Sequence, residues 1–258
     1  MHLAPKVVAF AIALALCIGL PALSIAAKSK NTAVEKTVVD EKAAQLLAQG
    51  CKALTALSAY SFQATVTLDK EYQDGSKIQT NRSMLVTVQR PGAFRIETDG
   101  DDFHAISVFD GKTFSLALPD QKIYAQISAA LDTDGLMDLL STKYGIEFPL
   151  GDLLSNQPCA KMTTKAGYYV GKSKVDGVVC DHLFFQGKDV DWQLWIEDGP
   201  VNLPRKLIIT EKKLKMSPQF TAVLSGWKTG DDAKGNFSFD AQGFIRDDSV
   251  ILGVQQGK

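Results

Sequence analysis

Side chains able to do chemistry are few and widely spaced. Beyond its first 27 residues the chain holds two histidines, His104 and His182, each inside a stretch with strand alternation. Asp181-His182 has the composition of an acid/base fragment, yet a partly exposed strand pair accounts for it more simply. Asp189 and Asp191 share a strand face. They read either as paired carboxylates for acid/base work or, more simply, as a solvated face beside a buried Trp192. A nucleophilic thiol at Cys180 would need a basic neighbour to lower its pKa, and sequence offers only His182. Metal-ligand spacing, a glycine-rich phosphate loop and a nucleophile elbow are all missing from the pattern. The expectation is a non-enzymatic protein without metal or cofactor.

The elements that must position these residues begin after an address. Lys6 is followed by the apolar run Val7–Leu16, Pro21 and the small-x-small step Ser24-Ile25-Ala26, so residues 1–27 read as a secretory signal cleaved near Ala26. An apolar run of about ten residues is shorter than the roughly 20 that span a bilayer. A retained anchor, extended by Ile18 to Ile25, or lipid attachment at Cys17 are the alternatives. Loss of Lys6 leaves 27 of the 28 Lys+Arg against 29 Asp+Glu, a near balance that offers no basic footprint for nucleic acid. Residues 28–39 are polar and read as a linker, and residues 40–258 suit a single domain. Three cysteines then remain in an oxidising compartment, Cys51, Cys159 and Cys180. Cys159 with Cys180 closes the shortest loop and is the expected pair, with Cys51 as a core residue of a helix. Three buried free thiols are the alternative.

Asp40 caps a helix whose stripe is Ala43, Leu46, Leu47, Cys51, Leu54 and Leu57. Gly50 in its middle costs about 1 kcal/mol relative to alanine and so marks close packing. From Tyr60 the period becomes two. Tyr60–Leu68, Met84–Val88, Phe94–Ile96, Phe103–Phe109, Phe114–Leu118 and Ile123–Ile127 form six strands of a meander, with turns at Asp74-Gly75, Arg90-Pro91-Gly92 and Asp110-Gly111. Thr133–Tyr144 and the stretch from Pro149 to Leu154 read as helices. Strands resume at 168–175, 178–185, 190–196, 204–210 and 220–227, with a short one at Phe237–Phe239. The fold class is therefore α+β, mainly β: a curved antiparallel sheet of about eleven strands with helices against its apolar face. Such a sheet curls, and its concave side is wide for side chains alone to fill.

Gln89-Arg90-Pro91-Gly92-Ala93-Phe94-Arg95, followed by Val108-Phe109-Asp110-Gly111-Lys112-Thr113-Phe114, resembles the bacterial periplasmic carrier of outer-membrane lipoproteins. Phe237-Ser238-Phe239 resembles that family's closing strand. A fuller resemblance, along nearly all of the mature chain, is to a related family of predicted periplasmic proteins whose function is not established. It is carried by Tyr144–Leu150, Asp152-Leu153-Leu154, Asp176-Gly177-Val178 with Cys180 and His182, Asp191–Glu197 and Leu203–Leu207. The resemblance implies an unclosed, half β-barrel capped by helices. It also implies that Arg90 holds a helical lid by hydrogen bonds, as the carrier's arginine does. The strand Trp192–Ile196 and the Asp240-Ala241 step depart from the carrier, which leaves lipoprotein cargo open.

The function expected is that of a periplasmic binding protein, peripheral to the membrane, holding a lipid, acyl chain or other apolar ligand between sheet and lid. Phe62, Val66, Met84, Val86, Phe94, Ile96, Leu136, Leu140, Trp192 and Leu194 are its candidate lining. Plain core is the alternative for each. The partner would be the apolar ligand, a lipoprotein or an envelope protein. A sensor module that binds a protein through the same half-barrel is the second reading.

Overall fold

The computed structural model describes residues 38–101, 103–160, 162 and 164–253; the expected signal and residues 28–37 of the expected linker lie outside them. The strands are β1 (Val38–Val39), β2 (Ala59–Glu71), β3 (Lys77–Gln89), β4 (Ala93–Gly100), β5 (Ala105–Phe109), β6 (Thr113–Leu118) and β7 (Ile123–Ser128). After them come β8 (Ala166–Val175), β9 (Val178–Gln186), β10 (Val190–Glu197), β11 (Pro204–Glu211), β12 (Gln219–Thr229) and β13 (Ile245–Arg246). The helices are α1 (Glu41–Thr55), α2 (Thr133–Tyr144), α3 (Gly151–Leu154) and α4 (Ser249–Gly253).

One 13-stranded sheet runs in the order β1-β8-β9-β10-β11-β12-β2-β3-β4-β5-β6-β7-β13. It is an open sheet: two antiparallel meanders, β2 to β7 and β8 to β12, join where β12 pairs with β2. Phe220 lies opposite Leu68 and Leu224 opposite Ala64 across that seam. The connection between the meanders carries α2 and α3, and α1 precedes both. All three helices lie on one side, because alternate residues of the strands give the sheet one apolar face that must be covered.

Each end of the sheet is finished by a two-residue parallel strand, β1 on β8 and β13 on β7. The linker expected over 28–39 is corrected at its last two residues. Val38 and Val39 join the sheet because β8 offers unpaired backbone groups at its start, and the Val38 N–H donates to the Lys165 carbonyl at 3.0 Å. The strand expected at Phe237–Phe239 is likewise corrected. The Ser238 N–H donates to Asn236 Oδ1 at 2.9 Å, a local turn that competes with a ladder. Phe239 packs instead on Tyr124, with ring centroids 5.2 Å apart. The place beside β7 belongs to Ile245-Arg246.

α1 follows its sequence signals. The Asp40 carboxylate accepts from the Lys42 N–H at 3.0 Å, and Ala43, Gly50 and Leu54 are buried. A Cβ at position 50 would lie 2.9 Å from Ile196 Cδ1, so glycine there allows α1 to touch the floor of β10. α2 is capped by Asp132, whose carboxylate accepts from the Gly135 N–H, and it ends on Gly145 in the left-handed conformation.

The expected pairing of Cys159 with Cys180 is overturned. Cys51 bonds to Cys159, with Cα atoms 6.1 Å apart, while Cys180 is a buried free thiol. Cys180 lies on the opposite, outer face of the sheet, against Val175 and Trp195, where it has no route to Cys159. Loop length cannot choose between faces of a sheet; the side on which β9 turns each residue does.

Candidate functional site

The inner face divides into two packed clusters. The larger fills the β2–β7 side. Phe94 stands within 5.8–6.3 Å of the Phe109, Phe114 and Phe148 rings, and Leu136 and Leu140 of α2 close over them with no exposed surface. The smaller lies under the first half of α1, where Ala43, Leu46 and Leu47 meet Leu183, Phe185 and Trp192. Trp192 stacks on Phe185 at 4.1 Å between ring centroids.

Between the clusters is a cleft of about 230 Å³. Its floor is the inward row Val190, Trp192, Leu194 and Ile196 of β10, with Leu207 and Ile209 of β11 and Leu224 of β12. Six strand steps make that row about 20 Å long. Its roof is Leu47, Gly50, Cys51 and Leu54 of α1, together with Leu150, Leu153, Pro158, Cys159 and Met162. The disulfide thus ties the two parts of the roof together, and Asp152 is the sole charged residue of the lining among the described residues.

Of the ten residues expected to line a cavity, Trp192 and Leu194 do so. Phe62, Val66, Val86, Phe94, Ile96, Leu136 and Leu140 are core, each at most 4% exposed, and Met84 packs against them partly buried. Strand alternation identifies the inward face; it does not tell whether helices fill the space above it. The roof residues Leu47, Gly50 and Met162 were outside the expected set, although the stripe of α1 was a signal for Leu47 and the glycine in its middle was a signal for close packing at Gly50.

Arg90 sits where the roof ends meet. Its Nη1 donates to the carbonyls of Leu54 and, at 2.8 Å, of Leu57, which close the last turn of α1. Its Nε and Nη2 donate to the Ser155 carbonyl just beyond α3, at 3.0 and 2.7 Å. A guanidinium suits this task because it forks toward carbonyls in fixed directions and brings positive charge to helix C-termini. It also lies over the Tyr60 ring, 5.0 Å from the centroid. The Tyr60 hydroxyl donates to the Leu153 carbonyl inside α3, and burial pushes its phenol pKa up. The next residue extends the junction: the Pro91 carbonyl accepts from the Thr133 N–H at 3.0 Å and from Asn156 Nδ2 at 3.0 Å. One turn therefore fastens the end of α1, the start of α2 and the end of α3.

The reactive-looking side chains are elsewhere. Asp181 accepts from the Tyr169 hydroxyl at 2.8 Å on the inner face. His182 lies on the outer face, stacked on Trp195 at 3.9 Å with Nε2 2.9 Å from Gln193 Oε1. Neighbours on opposite faces of a strand cannot work as one acid/base pair. Burial holds the His182 pKa below its ordinary value and raises that of the Cys180 thiol. His104 pairs with Asp120 at 3.0 Å, Asp189 with Lys213 at 3.0 Å and Asp191 with Lys212 at 2.7 Å. Among the described residues no cluster of three or more His, Cys, Asp or Glu side chains could hold a metal ion, and no helix is long and apolar enough to cross a membrane.

These features define a class: an unclosed, mainly antiparallel half-barrel with helices in its concavity, latched at one turn and hollow along one seam. The chain belongs to DUF2092, a family of predicted periplasmic proteins whose model matches residues 43–242, and it is a periplasmic protein. No curated protein matches it in sequence. Among solved structures it is similar to the lipoprotein LppX of Mycobacterium tuberculosis, at 13% identity and a TM-score of 0.43 over 77% of this chain and 100% of that one. A LolA superfamily protein of Nitrosomonas europaea is similar at 10% identity and a TM-score of 0.36, over 73% and 94% of the two chains. A chain of the MucA/MucB complex of Pseudomonas aeruginosa is similar at 16% identity and 0.39, over 79% of this chain and 61% of that one.

Proposed function

We propose that this periplasmic protein binds a single apolar chain, such as the acyl chain of a lipid, in the cleft between α1 and strands β10–β12. The observation that carries the reading is the lining itself. A slot of about 230 Å³ walled by leucines, isoleucines, prolines, a tryptophan and a disulfide offers burial to methylene groups and almost nothing to a polar solute. Each methylene taken from water into such a slot contributes about 0.8 kcal/mol. Arg90 supports the reading from the side of motion. The roof is held by hydrogen bonds to helix-end carbonyls, which can part and re-form, as well as by its covalent tie.

The test uses delipidated mature protein and a fluorescent fatty acid. Binding should be saturable, and excess ligand should raise the midpoint of thermal unfolding, because a ligand that binds only the folded state must stabilise it. Leu47→Trp fills the slot from the roof and should weaken binding at least tenfold while leaving the fold intact. Arg90→Ala should lower stability by about 3 kcal/mol, through loss of charge-assisted hydrogen bonds, and speed exchange of bound probe. Equal binding by the Leu47→Trp protein would sink the proposal. Recovery of one stoichiometric protein partner, without lipid, from gently prepared periplasm would move the function to the sensor reading.

A further inference from the structure

The turns at one end of the open sheet carry a second feature, separate from the cleft. The β9–β10 turn holds Lys188 and Asp189, and the β11–β12 turn reads Lys212-Lys213-Leu214-Lys215-Met216-Ser217. The two turns are braced against each other. Lys213 pairs with Asp189 at 3.0 Å, Lys212 pairs with Asp191 at 2.7 Å and donates to the Gly187 carbonyl, and the Lys212 N–H donates to the Asp189 carbonyl at 3.0 Å. The Ser217 N–H then closes on the Leu214 carbonyl at 3.0 Å. What stands beyond the brace is a held tip, with Leu214 half-buried, Met216 39% exposed and Lys215 exposed. Lys188 and Lys215 have no ion-pair partner among the described residues.

We infer that this tip docks the protein on an anionic phospholipid surface. Charge favours that occupant. The lysines that brace the turns use up Asp189 and Asp191, so Lys188 and Lys215 remain as cations without an ion-pair partner among the described residues, flanking two apolar side chains. At the opposite end of the same strands Asp231 is paired with Lys234 at 3.2 Å, while the turn residues Asp176 and Asp232 have no ion-pair partner among the described residues and would turn that end away from a negative surface. A basic, apolar tip is the pattern that rests at the headgroup level: lysines meet phosphates while methionine and leucine enter the acyl boundary. A second copy of this chain fits less well, because two such tips would face each other with like charge. Position adds a reason. Ile209, two residues before the end of β11, and Val190, the first residue of β10, line the near end of the cleft. Docking at the tip therefore brings the open seam beside the bilayer.

The experiment is flotation of the full mature protein with vesicles of phosphatidylglycerol and phosphatidylcholine, against phosphatidylcholine alone. The anionic vesicles should carry the protein up the gradient and the neutral ones should not, with binding falling as salt is raised. Lys188→Gln with Lys215→Gln should cut the bound fraction about tenfold. Leu214→Ser with Met216→Ser should do so by a similar factor, with circular dichroism unchanged in both. Equal flotation with neutral vesicles, or unchanged flotation of either double variant, overturns the inference. Fatty-acid loading is read separately on the same variants. Loss of vesicle binding with loading intact concerns the tip alone, and failure of loading in the wild type leaves the tip result standing.

Discussion

The two halves of this sheet share strand chemistry and differ in what lies over them. On the β2–β7 side, α2 is a full helix with Leu136 and Leu140 fully buried, and Phe148 closes the remaining gap against Phe94 and Phe114. On the β10–β12 side the roof is α1 plus a segment whose helix, α3, is four residues long and flanked by Pro149 and Pro158. So short a helix cannot present a filled face, and the proline-bounded segment has little regular backbone to pack. The glycine that lets α1 touch Ile196 fixes one point of contact; beside it the floor goes uncovered. Sealing or opening a concave sheet is thus decided by the connection between its two meanders, not by the strands.

Three measurements can break that contrast or sharpen it. The largest effect is expected at the disulfide. Replacing Cys51 and Cys159 with serine frees residues 108 apart in sequence, and the chain-entropy model gives a loss of about 5 kcal/mol. Hydrogen exchange should show α1 losing protection well before α2; equal loss in both helices would mean that the halves are one cooperative unit.

Next comes a matched pair of truncations. Leu140→Ala empties space in a sealed core and should cost about 3 kcal/mol, whereas Leu194→Ala enlarges a slot that is already open and should cost about 1.5 kcal/mol. Equal costs in urea unfolding would show that the cleft closes up in solution.

The smallest effect is at Tyr60, which joins the halves through α3. Tyr60→Phe should cost about 1 kcal/mol, since it leaves the Leu153 carbonyl without its buried donor. Its pH dependence has a definite sign. Burial raises the folded phenol pKa above the ordinary 10.0, so the unfolded chain ionises first. Stability from this group is complete below about pH 10 and is lost as pH rises beyond it. The unfolding midpoint of the wild type should therefore fall more steeply than that of Tyr60→Phe above about pH 10; parallel curves would exclude this group as the cause.

Most of the frame was legible in sequence because it obeys short periods. The period of two marked both meanders, and the stripe with its capping Asp40 marked α1. Gly50 signalled a close approach that proved to be Ile196. The resemblance around Arg90-Pro91 implied an arginine that holds a helical lid by hydrogen bonds; Arg90 does donate to the carbonyls of Leu54, Leu57 and Ser155, and whether these bonds hold a moving lid is a matter for the Arg90→Ala exchange measurement. Other features depend on partners far away in the chain. The choice between Cys51 and Cys180 for Cys159 rests on which sheet face each occupies. Two-residue strands such as Val38-Val39 carry no period at all. Phe62 and Trp192 alternate equally well with their neighbours, yet one is sealed and the other lines a slot, because the difference lies in helices that neither residue encodes.

The paired short strands at the margins carry a consequence for life in a crowded envelope. An open sheet of this width has two rims, and a bare rim invites a neighbour's strand, then another, toward a polymer. Here β13 occupies the β7 rim and β1 the start of β8. Farther along β8 the ladder is broken by a bulge between Tyr169 and Gly171 and guarded by exposed Lys172 and Lys174. Barrel closure, the usual cure for rims, would have erased the seam in which the cleft lies. Two dipeptides and a kinked, charged margin shield the rims while leaving the sheet open.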